Sequence, residues 1–349
     1  MKIQRMFTRG LVIALMGVFL VGSSSMAAGT KTYKWQPSSW LPSGISWDTI
    51  AYMSDYVNRM SAGRMNLKPS APGAIVPVAE QLEAVSMGVM QATFIWPGYF
   101  PGALPIAFSH GDSFAAPKTI AEMRFLYEQY EGGRIMQILR EEYAKHGVHL
   151  VGNVYWTLDN LMISKKPLMG VKDIKGLKFR SSELIALQLA SLGAGTIWTP
   201  STEIYTMLST GGVDAITFSN AADNVAMGFH EVTKYWVKNP TAVGPAADAL
   251  IVNLKTWNSL PDDLKAILEA ACEVGSARNK FEAELKIAEA WKIAEKKVEV
   301  IEWSEEDIRI LAGTARDAVP KKYFDNKAFT EIFAITEKWA TEQGYWDKK

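Results

Sequence analysis

The sequence predicts an α/β protein. Its 349 residues suffice for about two domains of ordinary size. Strand-like and helix-like runs alternate through both halves, which favours a largely parallel sheet with helices on both faces. A helical run over 261–298 would be on the order of 55 Å long at the usual rise per residue, too long for one small domain, so it should run across both.

Each element has its own signal. Residues 32–36 are strand-like. Ile50, Met53, Val57 and Met60 recur at helical spacing over 47–61, and Gly63 ends that helix. A short strand over 65–69 and a helix over 78–89 follow. The apolar strand 92–96 is stopped by Pro97-Gly98. Residues 119–144 read as helix, interrupted at Gly132-Gly133, and 149–155 as the next strand. The second half repeats the style. Strands are expected over 160–164, 177–179, 195–198, 215–218, 234–237 and 248–254. Helices fall over 183–192, closed by Gly193, and over 202–210, stopped by Gly211-Gly212. Pro261 suits the first turn of the long helix, and Asp262 and Asp263 complement its positive end. Residues 298–303 form a last strand, and two more helices close the chain.

Composition removes several function classes. The chain is 48% apolar and 21% charged, with a formal net charge of zero. That neutrality argues against a nucleic-acid binder, which needs a clustered basic face. The N-terminus carries Lys2, Arg5 and Arg9, then an apolar run over 11–21, then Ser25-Met26-Ala27-Ala28. This is the pattern of a secretory signal peptide over 1–28, and the run is too short to span a bilayer. The lone Cys272 lies on a helical pattern with no partnered base nearby and reads as a small buried apolar residue. No nucleophile elbow, Walker loop or dinucleotide fingerprint is present. His146 and His149 straddle Gly147, so they do not share a helix face as a metal pair would.

Arg180 is the strongest chemical signal. It follows the apolar run 177–179 and precedes a helix, which puts it at the carboxyl end of a sheet, where open α/β sheets bind ligands. Its planar fork grips a carboxylate through paired charge-assisted hydrogen bonds. It is the only arginine between Arg140 and Arg278. These observations point to a carrier of a small organic acid. Trp96 also ends an apolar strand before a turn, as a pocket wall or a core indole. Asn160 and Asn220 are weaker polar candidates.

Several stretches resemble the solute receptors of TRAP transporters, the DctP-type periplasmic binding proteins. One is Ser164-Lys165-Lys166-Pro167-Leu168 followed by residues 173–180. Another is Glu203-Ile204-Tyr205-Thr206-Met207-Leu208 with Gly212-Val213-Asp214-Ala215. Trp96-Pro97-Gly98-Tyr99, Gly73-Ala74-Ile75-Val76-Pro77 and residues 224–236 are similar to the branch that binds 2-oxo acids and related monocarboxylates. The resemblance runs from about Thr32 to the end of the long helix.

It implies a two-lobed periplasmic binding protein, type II-like, with hinge strands and a long helix spanning both lobes. Lobe I would take 32–155 plus about 246–283, lobe II 156–245 plus about 284–327, and a C-terminal helix 328–349. It implies no catalysis. Arg180 would hold the ligand's carboxylate, and Phe218 would stand near it. Tyr155 and Trp156 lie where the chain should first cross between lobes. Strand alternation lets one of them face the cleft, and Tyr155 is the expected one. The loaded receptor would deliver its cargo to the TRAP membrane permease subunits.

Some relatives bind the acid together with a metal cation held by carboxylates. Residues 215–220 and 239–245 contain none, so neither a metal nor a cofactor is expected. The ligand classes left open are monocarboxylates, 2-oxo acids, aromatic acids and sulfonates. Rival readings are a receptor for an ABC importer or sensor and a carboxylate-based periplasmic enzyme. Phe329, Ile332, Phe333, Ile335 and Trp339 form an apolar stripe that either packs on its own lobe or pairs two copies; packing, and hence a monomer, is favoured.

Overall fold

The alternation of strand and helix holds along the chain. The computed structural model describes residues 31–159, 161–238 and 244–347. The expected leader over 1–28 and the candidate Asn160 lie outside those residues. β1 (Tyr33–Trp35), α1 (Ile45–Met60), β2 (Met65–Leu67), α2 (Gln81–Ser86) and β3 (Ala92–Ile95) come first. α3 (Ala107–His110), α4 (Ile120–Glu128) and α5 (Arg134–Lys145) lead to the long strand β4 (Val148–Thr157). The break between α4 and α5 falls at the glycine pair, where Glu131, Gly132 and Gly133 all have positive φ.

β5 (Met162–Ser164), β6 (Lys178–Arg180), α6 (Glu183–Ser191), β7 (Gly195–Ile197) and α7 (Ser201–Thr210) follow. Next come β8 (Ala215–Ile216), α8 (Ala221–Ala226), β9 (Tyr235–Val237) and β10 (Pro245–Asn253). The chain closes with α9 (Leu254–Ser259), α10 (Asp262–Ala294), β11 (Glu299–Ile301), α11 (Glu305–Asp317) and α12 (Lys327–Glu342).

Two sheets head the two lobes. One has the order β3-β10-β4 and the other β11-β9-β5-β8-β6-β7. The expectation of a largely parallel sheet needs correction. The three-stranded sheet is antiparallel throughout, and β5 runs against both of its neighbours. The reason is the crossing: β10 returns from the second lobe and runs back along the whole of β4, from Pro245↔Thr157 to Asn253↔Val148. A strand that re-enters from elsewhere need not obey the βαβ rule that aligns consecutive strands.

β4 passes from one core to the other within two residues. Tyr155 packs into the core of α4, α5 and α12, whereas Trp156 packs into the core around β5, β6 and β8. α10 makes the same passage. Its 33 residues span about 50 Å. Leu264, Leu268 and Cys272 pack with Ile50, Met53 and Val57 of α1, while Ala290, Trp291 and Ala294 belong to the other lobe's core. Small residues let this helix lie close. A Cβ on Gly275 would meet Met53 Sδ at 2.6 Å, and one on Gly152 would meet Cys272 Cβ at 3.1 Å. Polar side chains on the helix satisfy the strand's backbone: the Tyr155 N–H donates to Ser276 Oγ (3.1 Å), and Asn279 Nδ2 donates to the Tyr155 carbonyl (3.2 Å). Cys272 is a buried free thiol whose pKa burial pushes well up.

The stripe of the C-terminal helix is covered by its own chain. Phe329, Ile332, Ile335 and Trp339 are buried, and Phe114 contacts the rings of both Phe329 and Phe333. No helix among the described residues is long and apolar enough to cross a membrane.

Candidate functional site

Arg180 is the last residue of β6, which lies between β7 and β8 with both pairings parallel. The guanidinium therefore leaves the sheet at its carboxyl edge, and it is 1% exposed. The chain's own backbone fixes its direction. Nε and Nη2 donate to the Thr199 carbonyl at 3.1 and 2.6 Å. Nη2 also donates to Tyr99 Oη at 3.3 Å, and the guanidinium carbon sits 5.2 Å from the Phe218 ring centre, a cation–π distance. Nη1 makes no hydrogen bond to a described residue. One edge of the fork and both N–H groups of Nη2 are thus engaged, and the two N–H groups of Nη1 are left to grip something else.

That end borders a cavity of about 40 Å3. Its wall is aromatic: Trp40, Trp96, Tyr99, Trp156 and Phe218. Trp40 is the hub, with ring centres 5.9–6.4 Å from the other four. The remaining lining comprises Leu158, Leu161 and Ile185, plus the hydroxyl residues Ser182, Thr217 and Ser219. Ser182 and Ile185 bring the N-terminal turn of α6 to the cavity, an end that favours anions. Contacts cross the cleft. Tyr99 follows β3 and meets Arg180 and Trp198, while Ser201 Oγ at the start of α7 donates to the Trp40 carbonyl at 2.7 Å.

Arg180, Trp96 and Phe218 are brought together as the sequence suggests. Tyr155 is not, and the strand phase explains why. Asp248↔Val154 and Ala246↔Trp156 pairing puts those residues on one face of the sheet, and Asn153 and Tyr155 on the other. Tyr155 Oη donates instead to Glu128 at 2.8 Å and lies deep in the opposite core. Trp156 takes the cavity position. Asn220 is a helix cap: its Oδ1 accepts from Asp223 N at 3.0 Å, and its Nδ2 donates to Asp223 Oδ2 at 3.1 Å. Trp40, Tyr99 and the three hydroxyl residues had not been singled out. Only Tyr99 carried a signal, as part of the Trp96–Tyr99 turn.

The lining does not fit a hard cation. Among the described residues it holds hydroxyls and a guanidinium but no carboxylate, and such ions want several oxygen ligands, usually including carboxylates. Among the described residues no group of three or more His, Cys, Asp or Glu could hold a metal. His149 is stacked face to face on Trp257 at 4.1 Å.

Three buried carboxyls surround the site without lining it. Asp159 accepts from Ala221 N (2.8 Å) and Trp291 Nε1 (2.6 Å), and burial raises its pKa. Asp223 is raised to about 6 by burial. Asp248 is raised to about 8, again by burial, against the indole N–H groups of Trp40 and Trp156 and with Asp223 adding to the rise. The sign for Asp248 follows from linkage. The folded state keeps this proton to higher pH than the unfolded state, so the stability it gives is full below the ordinary carboxyl range and is lost as pH rises through about 8. Asp248→Asn stays neutral at every pH. Its melting temperature should therefore change less than the parent's between pH 5 and 9 and exceed it at pH 9. Each pKa unit released is worth about 1.4 kcal/mol, or about 3 °C. Parallel melting curves for the two proteins would contradict the assignment.

The chain is similar to proteins already known. Residues 39–326 match the family described as bacterial extracellular solute-binding protein, family 7, DctP. The monocarboxylate 2-oxoacid-binding periplasmic protein of Nostoc sp. is 29% identical over 266 residues, covering 74% of this chain and 70% of that protein. A TRAP transporter solute-binding protein from Bordetella bronchiseptica, with copurified calcium and picolinate, has a TM-score of 0.78 at 23% identity, over 90% of this chain and 94% of that one. One from Pseudoalteromonas atlantica, with bound sodium and pyruvate, has a TM-score of 0.75 at 22% identity, over 90% and 96%. At these identities the likeness shows the fold, two α/β lobes.

Proposed function

Because the chain belongs to the DctP family of extracellular solute-binding proteins, receptors and not enzymes, we propose that it captures a small organic acid anion through Arg180 in the periplasm and delivers it to a TRAP membrane permease. The observation that carries this reading is the buried fork of Arg180, held by Thr199 on one edge and with no partner among the described residues at Nη1, at a cavity whose described lining is aromatic and hydroxyl-bearing. A ligand carboxylate docks on Nη1, with the Tyr99 hydroxyl held by Nη2 beside it and the α6 N-terminus adding to the field. Water is excluded by the tryptophans, which strengthens those bonds.

The cavity of about 40 Å3 has room for on the order of three waters, the scale of a short acid. Short 2-oxo acids and monocarboxylates therefore rank ahead of aromatic acids and sulfonates. The names of the Nostoc relative and of the pyruvate-bound neighbour support the same ranking. Cleft closure traps the acid by shifting the population of lobe arrangements.

A thermal-shift screen against pyruvate, longer 2-oxo acids, simple monocarboxylates, aromatic acids and sulfonates tests the proposal. An acid present at 100 times its Kd should stabilise the protein by about 2.7 kcal/mol. The shift should survive EDTA. A panel in which no acid raises the melting temperature, or in which EDTA removes the shift, overturns the reading.

A further inference from the structure

We propose that Asp248 is a positioning residue of the ligand site: it acts through Trp40 and Trp156, whose indoles form the cavity wall, and so sets which acid the cavity admits. The inference rests on the ligand reading above. Asp248 lies in the middle of β10, is 5% exposed and does not line the cavity. Among the described residues it joins no salt bridge. Burying a carboxyl without a cation is costly, and hydrophobic residues would fill this strand more cheaply.

Its contacts supply the reason. Oδ2 accepts the indole N–H of Trp40 at 3.0 Å. Trp40 belongs to neither a helix nor a named strand, so packing, this bond and the Ser201 bond to its carbonyl are what hold the ring. Oδ1 of Asp248 and Nε1 of Trp156 are both buried without a partner of normal hydrogen-bond geometry. They stand on the same face of adjacent strands, one diagonal step apart, within reach of each other through a small rotation of either side chain. One carboxyl thus addresses both indoles from behind the wall they present to the ligand. Deleting it takes the acceptor from the Trp40 N–H and removes the one carboxyl within reach of the Trp156 N–H, and the rings must turn to satisfy these donors.

The test uses the full-length mature protein and three variants. Asp248→Leu removes the acceptor, Asp248→Asn keeps an oxygen in place, and Trp40→Phe removes the donor and leaves the carboxyl. Two properties are read: the indole N–H resonances in the ligand-free protein, and the ratio of affinities for pyruvate and 2-oxoisovalerate. Asp248→Leu and Trp40→Phe should each change that ratio by about tenfold, and Asp248→Asn should hold it within about threefold. In Asp248→Leu the Trp40 and Trp156 resonances should move, with other indoles unchanged. An unchanged ratio with unmoved resonances overturns the proposal. Should Asp248→Leu fail to fold, Trp40→Phe decides by the same ratio. Should the parent bind neither acid, the ranking of 2-oxo acids first fails separately, and unmoved resonances would overturn the role of Asp248 without any ligand.

Discussion

Arg180→Ala loses acid capture almost completely. The guanidinium is the one cationic group among the cavity's described lining residues, and it is almost fully desolvated. Without it a ligand carboxylate enters an aromatic cavity with only hydroxyls and one helix end to meet it. Leaving a buried charge unpaired costs about 3–5 kcal/mol, which corresponds to a fall in affinity of roughly 10²- to 10⁴-fold. Titration calorimetry with the acid that gives the largest thermal shift in the parent measures this directly. Arg180→Lys should fall between the two. It keeps the charge but cannot bond the Thr199 carbonyl and the ligand from opposite edges of a plane. The ligand-free variants should melt close to the parent, because the groups released, Thr199 O and Tyr99 Oη, lie beside the cavity rather than deep in a core. Binding by Arg180→Ala within about threefold of the parent would place the anion elsewhere.

Arg180 was legible in the sequence because its signal is local: a strand hands over to a helix, and an arginine sits at the join. α10 was legible for the same reason, its helical pattern being long and uninterrupted. The Tyr155 and Trp156 pair was not. Alternation reveals a strand's facing only when one face is wet, and β4 is buried on both sides where it crosses between the cores. Nothing in the local residues says which core is the one beside the ligand.

Trp40 was missed because a loop residue has no periodic pattern to betray its direction. Asn220 looked like a ligand group because capping and ligand binding use the same side-chain chemistry. The antiparallel course of β10 depended on where the chain re-enters the first lobe, which is a long-range fact. Asp248 did carry a trace. A lone carboxyl within Ala246–Val252, an otherwise apolar run, conflicts with a buried strand, and such conflicts mark positions retained for another purpose.

Gly44→Ala should lower the melting temperature by roughly 3–6 °C, a loss of about 2–4 kcal/mol. Gly44 precedes α1 with φ 84° and ψ −161°, a region essentially reserved for glycine that costs an L-residue about 1–3 kcal/mol. Space is the second difficulty. A Cβ there would lie 2.2 Å from Asp223 Oδ1 and 3.1 Å from the Asp223 Cα, so moving the side chain alone gives incomplete relief. Asp223 is the cap that α1 lacks in its own sequence: its Oδ1 accepts the Ile45 N–H at 2.5 Å from 178 residues away. Its other oxygen accepts from Ser219 Oγ at 2.5 Å, and Ser219 lines the ligand cavity at φ 43°. Displacing Asp223 therefore removes a helix cap worth about 1 kcal/mol and frees a strained cavity residue. Asp223→Ala alone should destabilise through the same contact. If both substitutions act there, the double variant must cost less than the sum of the two. Additive losses would mean that Gly44 matters for its backbone conformation only, and an unchanged melting temperature in Gly44→Ala would dissolve the contact altogether.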